Sequence, residues 1–270
     1  MTTSGPVVLV GRGKMGSALL AGWLARGLAP SEVHSVEPQP YAPPPAGVVE
    51  VAEAGALPAG LAPKVVVLAV KPQGMDAVLP AYRRFAGPGT VFLSIAAGRP
   101  LAFFARHLGD GAAVVRAMPN TPAAVGRGIT VLCANARVAP GQLDVCRNLM
   151  SAVGAVETVA DEALMDPVTA VSGSGPAYVF LLVEAMAAAG VAAGLPADLA
   201  MKLARETVAG SGALLAGAAE DAATLRKNVT SPGGTTAAAL AVLMDEGGGL
   251  GALMTRAIDA ATKRSRELAG

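Results

Sequence analysis

The stretch Pro6-Val-Val-Leu-Val-Gly-Arg-Gly-Lys-Met-Gly16 begins as a short apolar, β-branched run and ends in glycines. Ser17-Ala-Leu-Leu-Ala-Gly-Trp-Leu-Ala25 follows with the apolar density of a helix. The order is strand, turn, helix, and Gly11, Gly13 and Gly16 fall at the spacing G-x-G-x-x-G. In such a turn the first glycine permits the tight bend, the second lets backbone approach a pyrophosphate, and the third lets helix and strand pack closely. Gly11, Arg12, Gly13, Lys14, Met15 and Gly16 are therefore candidate dinucleotide-binding residues. An ordinary turn between a strand and a helix is the bland alternative.

Val33-His-Ser-Val-Glu37 reads as the second strand, with Glu37 at its end, roughly twenty residues past the glycine motif. A carboxylate there accepts hydrogen bonds from the adenosine ribose and repels a 2′-phosphate, which favours NADH over NADPH. A basic residue inside the turn, Arg12, could offset that repulsion.

Further apolar runs extend the sheet: Val48–Val51, Lys64–Val70, Thr90–Ile95, Ala112–Met118, Gly128–Ala134 and Ala155–Val159, with a helix expected over Pro140–Val153. Ligands of a parallel sheet gather at the carboxyl ends of its strands. Ala69, Val70, Lys71, Pro72, Ser94, Ala96 and Ala97 are thus expected to flank the cofactor, and Asn120, in the rigid turn Pro119-Asn-Thr-Pro-Ala123, is a further candidate. The first half reads as a Rossmann-like domain of the α/β class, residues 1–160.

Composition narrows the partners. Aromatics make up only 3% of 270 residues and the net charge is +1, with Arg and Lys scattered, so neither nucleic-acid stacking nor an anionic membrane is indicated. The run between Asp166 and Glu184 is interrupted by Ser172-Gly-Ser-Gly-Pro176 and reads as too broken to span a bilayer. Val7–Val10 is too short for the core of a secretion signal, so a cytoplasmic location is expected. Cys133, Cys146, His34 and His107 show no metal-ligand spacing, so no metal is expected. The partner that fits is a small molecule.

Past Asp161 strand signals stop and Ala-rich, Gly-spaced helical segments take over, giving an all-helical C-terminal domain, residues 161–270. Its helix after Val171-Ser-Gly-Ser-Gly-Pro-Ala-Tyr178 is apolar on most faces, as in a large core or between subunits. Further helices are expected around Pro196–Ala219 and Gly249–Leu268. Between them Leu225-Arg-Lys-Asn-Val-Thr-Ser-Pro-Gly-Gly-Thr-Thr-Ala-Ala-Ala-Leu240 runs from a polar, glycine-broken turn into an apolar helix. Unpaired N–H groups and a positive dipole at such an entrance suit a small carboxylate, although the same residues are also simply good capping residues. No lysine lies between Tyr178 and Met201 to serve as the acid or base of a hydroxyacid dehydrogenase. An imine needs less, because its nitrogen takes a proton from water and its carbon then requires orientation and a hydrogen bond.

The run Val229-Thr-Ser-Pro-Gly-Gly-Thr-Thr236, with Ser172-Gly-Ser-Gly-Pro-Ala-Tyr178, the glycine motif and the strand ends A-V-K-P-Q, S-I-A-A-G and M-P-N-T-P-A, closely resembles pyrroline-5-carboxylate reductases across nearly the whole chain. The resemblance implies reduction of pyrroline-5-carboxylate to proline, with the substrate carboxylate on Ser231, Gly233, Gly234 and Thr235, and Thr236 at the ring nitrogen. It also implies an intertwined homodimer through the helical domain, sometimes assembled further, and a leaning to NADPH, from which Glu37 departs. Another cyclic-imine reductase, or a nucleotide-sensing protein without turnover, remain the alternatives.

Overall fold

The computed structural model describes residues 5–40 and 42–269. Its chain forms two compact units, one within Met1–Gly173 and Ala261–Gly270, the other Ser174–Ala260.

The first unit holds one eight-stranded sheet, built from β1 (Val7–Val10), β2 (Val33–Val36), β3 (Val49–Val51), β4 (Val65–Leu68), β5 (Val91–Ser94), β6 (Ala113–Met118), β7 (Gly128–Ala134) and β8 (Gly154–Val159). The order across it is β3-β2-β1-β4-β5-β6-β7-β8. Side chains alternate between two cores, as the period of a strand requires. Val7, Leu9, Val65 and Val67 pack on one face with Leu19, Leu20 and Trp23 of helix α1 (Lys14–Ala25). Val8, Val10, Val66 and Leu68 pack on the other with Met75 of the one-turn α2 (Met75–Val78) and with Phe103 and Phe104 of α3 (Leu101–Leu108). Buried Trp23 also ties α1 to α4 (Pro140–Ser151), its indole N–H donating to the Leu149 carbonyl at 2.9 Å.

The sheet is not parallel throughout: β6 and β7 pair antiparallel, because the chain between them is only a short 3-10 turn around Thr121–Val125, too brief for a parallel crossover. The compact units themselves divide at 173/174, while the helical part of the chain begins just past Asp161. Residues past 161 stay with the sheet, since Met165 of the one-turn α5 (Met165–Val168) joins Val131 and Cys133 in a third apolar cluster. The chain's end returns there too, with the Ser265 hydroxyl donating to Asp166 at 2.7 Å.

The second unit is all helical: α6 (Gly175–Ala192), α7 (Ala197–Gly217), α8 (Ala222–Asn228), α9 (Thr235–Leu243) and most of α10 (Leu250–Ala269). Helices α6 and α7 approach closely at Gly190, where an added Cβ would stand 3.2 Å from that of Ala200. Much of the unit's apolar surface has no cover within one chain, including Phe180, Leu181, Leu214 and Val242, each more than 60% exposed. The helical stretch Glu162–Ala192 is, by length and composition, apolar enough to cross a membrane. Ser172–Pro176 thus does not break the run as the sequence suggested, because a π-helical turn over Thr169–Gly173 leads into α6.

Candidate active site

The glycine turn connects β1 to α1 at the carboxyl edge of the sheet. The Gly11 N–H donates to the Val36 carbonyl at 2.9 Å, and the Ala69 N–H to the Val10 carbonyl at 2.7 Å, which draws the ends of β2, β1 and β4 together. Gly11 has φ +90, and a side chain there would meet the Ala69 backbone at 2.8 Å. At Gly16 an added Cβ would lie 2.2 Å from the Gly11 carbonyl oxygen, so this glycine is what lets the helix sit against the turn. Gly13, the helix N-cap, differs: nothing lies within 4 Å of the Cβ it lacks, and neither a side-chain cap nor an acidic residue occupies the first turn of α1. The open side of Gly13 and the uncapped N–H groups behind it fit a pyrophosphate, the chemistry expected of a dinucleotide. Lys14 is exposed at the first helical position, whereas the Met15 side chain packs against the core.

Glu37 follows directly on β2 and faces this turn. Its Oε2 accepts from the Arg12 N–H at 2.6 Å, and its Oε1 accepts from the Gln39 N–H at 3.1 Å. The carboxylate thus stands against the glycine turn at the end of the second strand. Arg12 does not reach into that space. Its guanidinium pairs side-on with Glu50 of β3, Nε to Oε2 at 2.5 Å and Nη2 to Oε1 at 2.9 Å, and Nη2 also donates to the Ala42 carbonyl. No local signal marks Glu50, which lies 38 positions from Arg12 and in a strand too short to single it out.

The ends of β4 and β5 complete this edge. Ala69 and Val70 stand against Gly11, Ala96 is buried, and Lys71 and Ala97 are exposed. The Pro72 carbonyl accepts from Arg99 through Nε at 3.1 Å and Nη2 at 2.9 Å. The Ser94 hydroxyl accepts from the Ala96 N–H at 3.3 Å. Asn120 is employed within the protein: its Nδ2 donates to the Ser172 carbonyl at 3.2 Å, and its Oδ1 accepts from the Ile129 N–H at 2.9 Å. It braces the turn between β6 and β7.

In the second unit, Ser231, Pro232, Gly233 and Gly234 form the entrance to α9. The Gly234 N–H donates to the Ser231 carbonyl at 3.0 Å, and Gly233 adopts φ +70, a left-handed conformation that glycine tolerates without strain. Gly234 is the N-cap, and no side-chain hydrogen bond caps the first turn of α9. Ser231 and Thr235 are exposed and Thr236 is half-buried. N–H and hydroxyl donors at the first turn of one helix are groups of the kind that bind a small carboxylate.

An open, mainly parallel sheet with this turn after β1 and an acid at the end of β2 defines a nicotinamide-dinucleotide oxidoreductase. Residues 6–98 match the family described as NADP oxidoreductase, coenzyme F420-dependent, and residues 162–268 match pyrroline-5-carboxylate reductase dimerisation. The chain is 41% identical to the pyrroline-5-carboxylate reductase of Pseudomonas aeruginosa over 97% of its length and 96% of that protein's. It is 40% identical to that of Mycobacterium tuberculosis over the same shares. The solved reductase of Coxiella burnetii superposes with a TM-score of 0.90 at 34% identity, covering 98% of this chain and 99% of that one. The reductase of Plasmodium falciparum, solved with NADP bound, gives 0.83 at 27% over the whole of both chains. The chain belongs to the pyrroline-5-carboxylate reductase family.

Proposed function

We propose that this protein reduces pyrroline-5-carboxylate to L-proline with a nicotinamide dinucleotide. The reading is carried by full-length similarity to reductases of that name together with a glycine turn whose second glycine is open and whose third is sterically required. The dinucleotide supplies a hydride to the imine carbon, and the imine nitrogen is protonated from water, so that the C=N double bond becomes a C–N single bond. The chain's own residues bind and orient. Ser231, the N–H groups following Gly233 and Gly234, and Thr235 hold the carboxylate; the Thr236 hydroxyl fixes the ring nitrogen.

One matching family is described as NADP oxidoreductase and one similar reductase is solved with NADP bound; a Glu37 carboxylate held against the glycine turn is the ground on which NADH is the preferred cofactor here. The uncovered apolar helices of the second unit support a homodimer through that unit. Two buried, unpaired cysteines suit the reducing cytoplasm. Steady-state oxidation of NADH and NADPH, with and without pyrroline-5-carboxylate, tests the assignment. Oxidation that does not depend on the imine would leave a nucleotide-binding protein without turnover.

A further inference from the structure

Arg12 lies inside the glycine turn and its backbone touches the acid at the ribose corner, so its guanidinium is well placed by sequence to receive a 2′-phosphate. It is instead committed elsewhere. Arg12 and Glu50 are 4% and 10% exposed and meet in a side-on pair, with the Ala42 carbonyl taking a third contact. For the guanidinium to turn toward a ligand, these contacts must break and Glu50 must be left buried without its counter-charge, which is strongly unfavourable. We propose that Glu50 adds to Glu37 in setting cofactor choice in this turn, by clamping Arg12 so that its guanidinium is withheld from a 2′-phosphate at the adenosine-ribose corner. Glu50 is a positioning residue: it acts through Arg12, while Glu37 faces the ribose. The inference rests on the glycine turn being a dinucleotide site.

The test is equilibrium binding of 5′-AMP, 2′,5′-ADP, NADH and NADPH to the full-length protein by calorimetry. In the parent, 2′,5′-ADP should bind no tighter than 5′-AMP. Glu50→Gln is nearly isosteric and removes the clamp's charge; it should improve 2′,5′-ADP relative to 5′-AMP by about tenfold, the scale of one new charge-assisted contact. The double variant Arg12→Gln/Glu50→Gln should return the ratio to the parent's. An unmoved ratio in Glu50→Gln overturns the proposal, as does a shift that survives in the double variant, since the freed arginine would then not be the cause. A parent that binds none of the four ligands defeats the dinucleotide reading and this one with it; a parent that binds NADH while Glu50→Gln leaves the ratio unmoved defeats this one alone. If Glu50→Gln does not fold, the parent's salt dependence decides. Equal slopes for 5′-AMP and 2′,5′-ADP support the clamp, and a steeper slope for 2′,5′-ADP shows that a cation already meets the phosphate and overturns it.

Discussion

Glu37 holds the backbone N–H of Arg12 at 2.6 Å, joining the end of the second strand to the turn after the first across 25 positions of chain. The contact fixes the carboxylate beside Gly13, and a 2′-phosphate brought within several ångströms of it meets a repulsion of about 1–3 kcal/mol. Catalytic efficiency with NADH should therefore exceed that with NADPH by about tenfold, and Glu37→Ser should erase the difference. A strong NADPH preference in the parent, or no change in the variant, would show that Glu37 faces away from the ribose.

Gly13 and Gly16 should respond to alanine in opposite ways. Gly16→Ala drives a methyl to within 2.2 Å of a backbone oxygen, and the shift needed to relieve it should cost about 1–3 kcal/mol or more of stability, read as a lowered midpoint in denaturant. Gly13→Ala meets nothing and, at φ −67, strains nothing, so its stability should equal the parent's while NADH affinity falls. If Gly13→Ala bound NADH as well as the parent, the pyrophosphate would not lie on that face.

In the proposed reaction Thr236 and Ser231 divide the work at the entrance to α9. Thr236→Ala should lower kcat by about tenfold to a hundredfold, for the loss of one hydrogen bond made during the reaction, with the Kd for NADH unmoved. Ser231→Ala should chiefly raise KM, and pyrrolines lacking the carboxylate should then lose their disadvantage against pyrroline-5-carboxylate. Equal discrimination by parent and Ser231→Ala would remove Ser231 from carboxylate recognition.

Burial pushes the Cys146 thiol up to about 12 from its ordinary value of 9.0, and raises that of Cys133 as well. The folded state thus keeps a proton that the unfolded chain loses above pH 9. This contribution is fully present below pH 9 and is lost as pH rises toward 12, by about 1.4 kcal/mol for Cys146 at pH 10. The fall in Tm from pH 8 to pH 10 should be shallower in Cys146→Ala than in the parent. Both thiols should resist iodoacetamide at pH 8 until the protein is unfolded.

What the sequence determined alone was whatever depends on a few neighbouring residues. The G-x-G-x-x-G spacing, the β-branched runs of β1, β4 and β5, and the Ser-Pro-Gly-Gly entrance to α9 each carry their geometry within a single turn or strand, so their positions could be read before any contact was known. Similarity to relatives at 41% identity then attached a chemistry to those turns. The tertiary structure decided what depends on pairing across distance. It reversed β7 against β6 because a short turn leaves no room for a crossover, and kept residues 161–173 with the sheet because Met165 finds apolar partners there. It bent Asn120 to a bracing task and closed Arg12 onto Glu50. A charge in a sequence does not say where its counter-charge lies; only the fold, by bringing β3 beside β2, placed Glu50 where burial makes the pair hard to break.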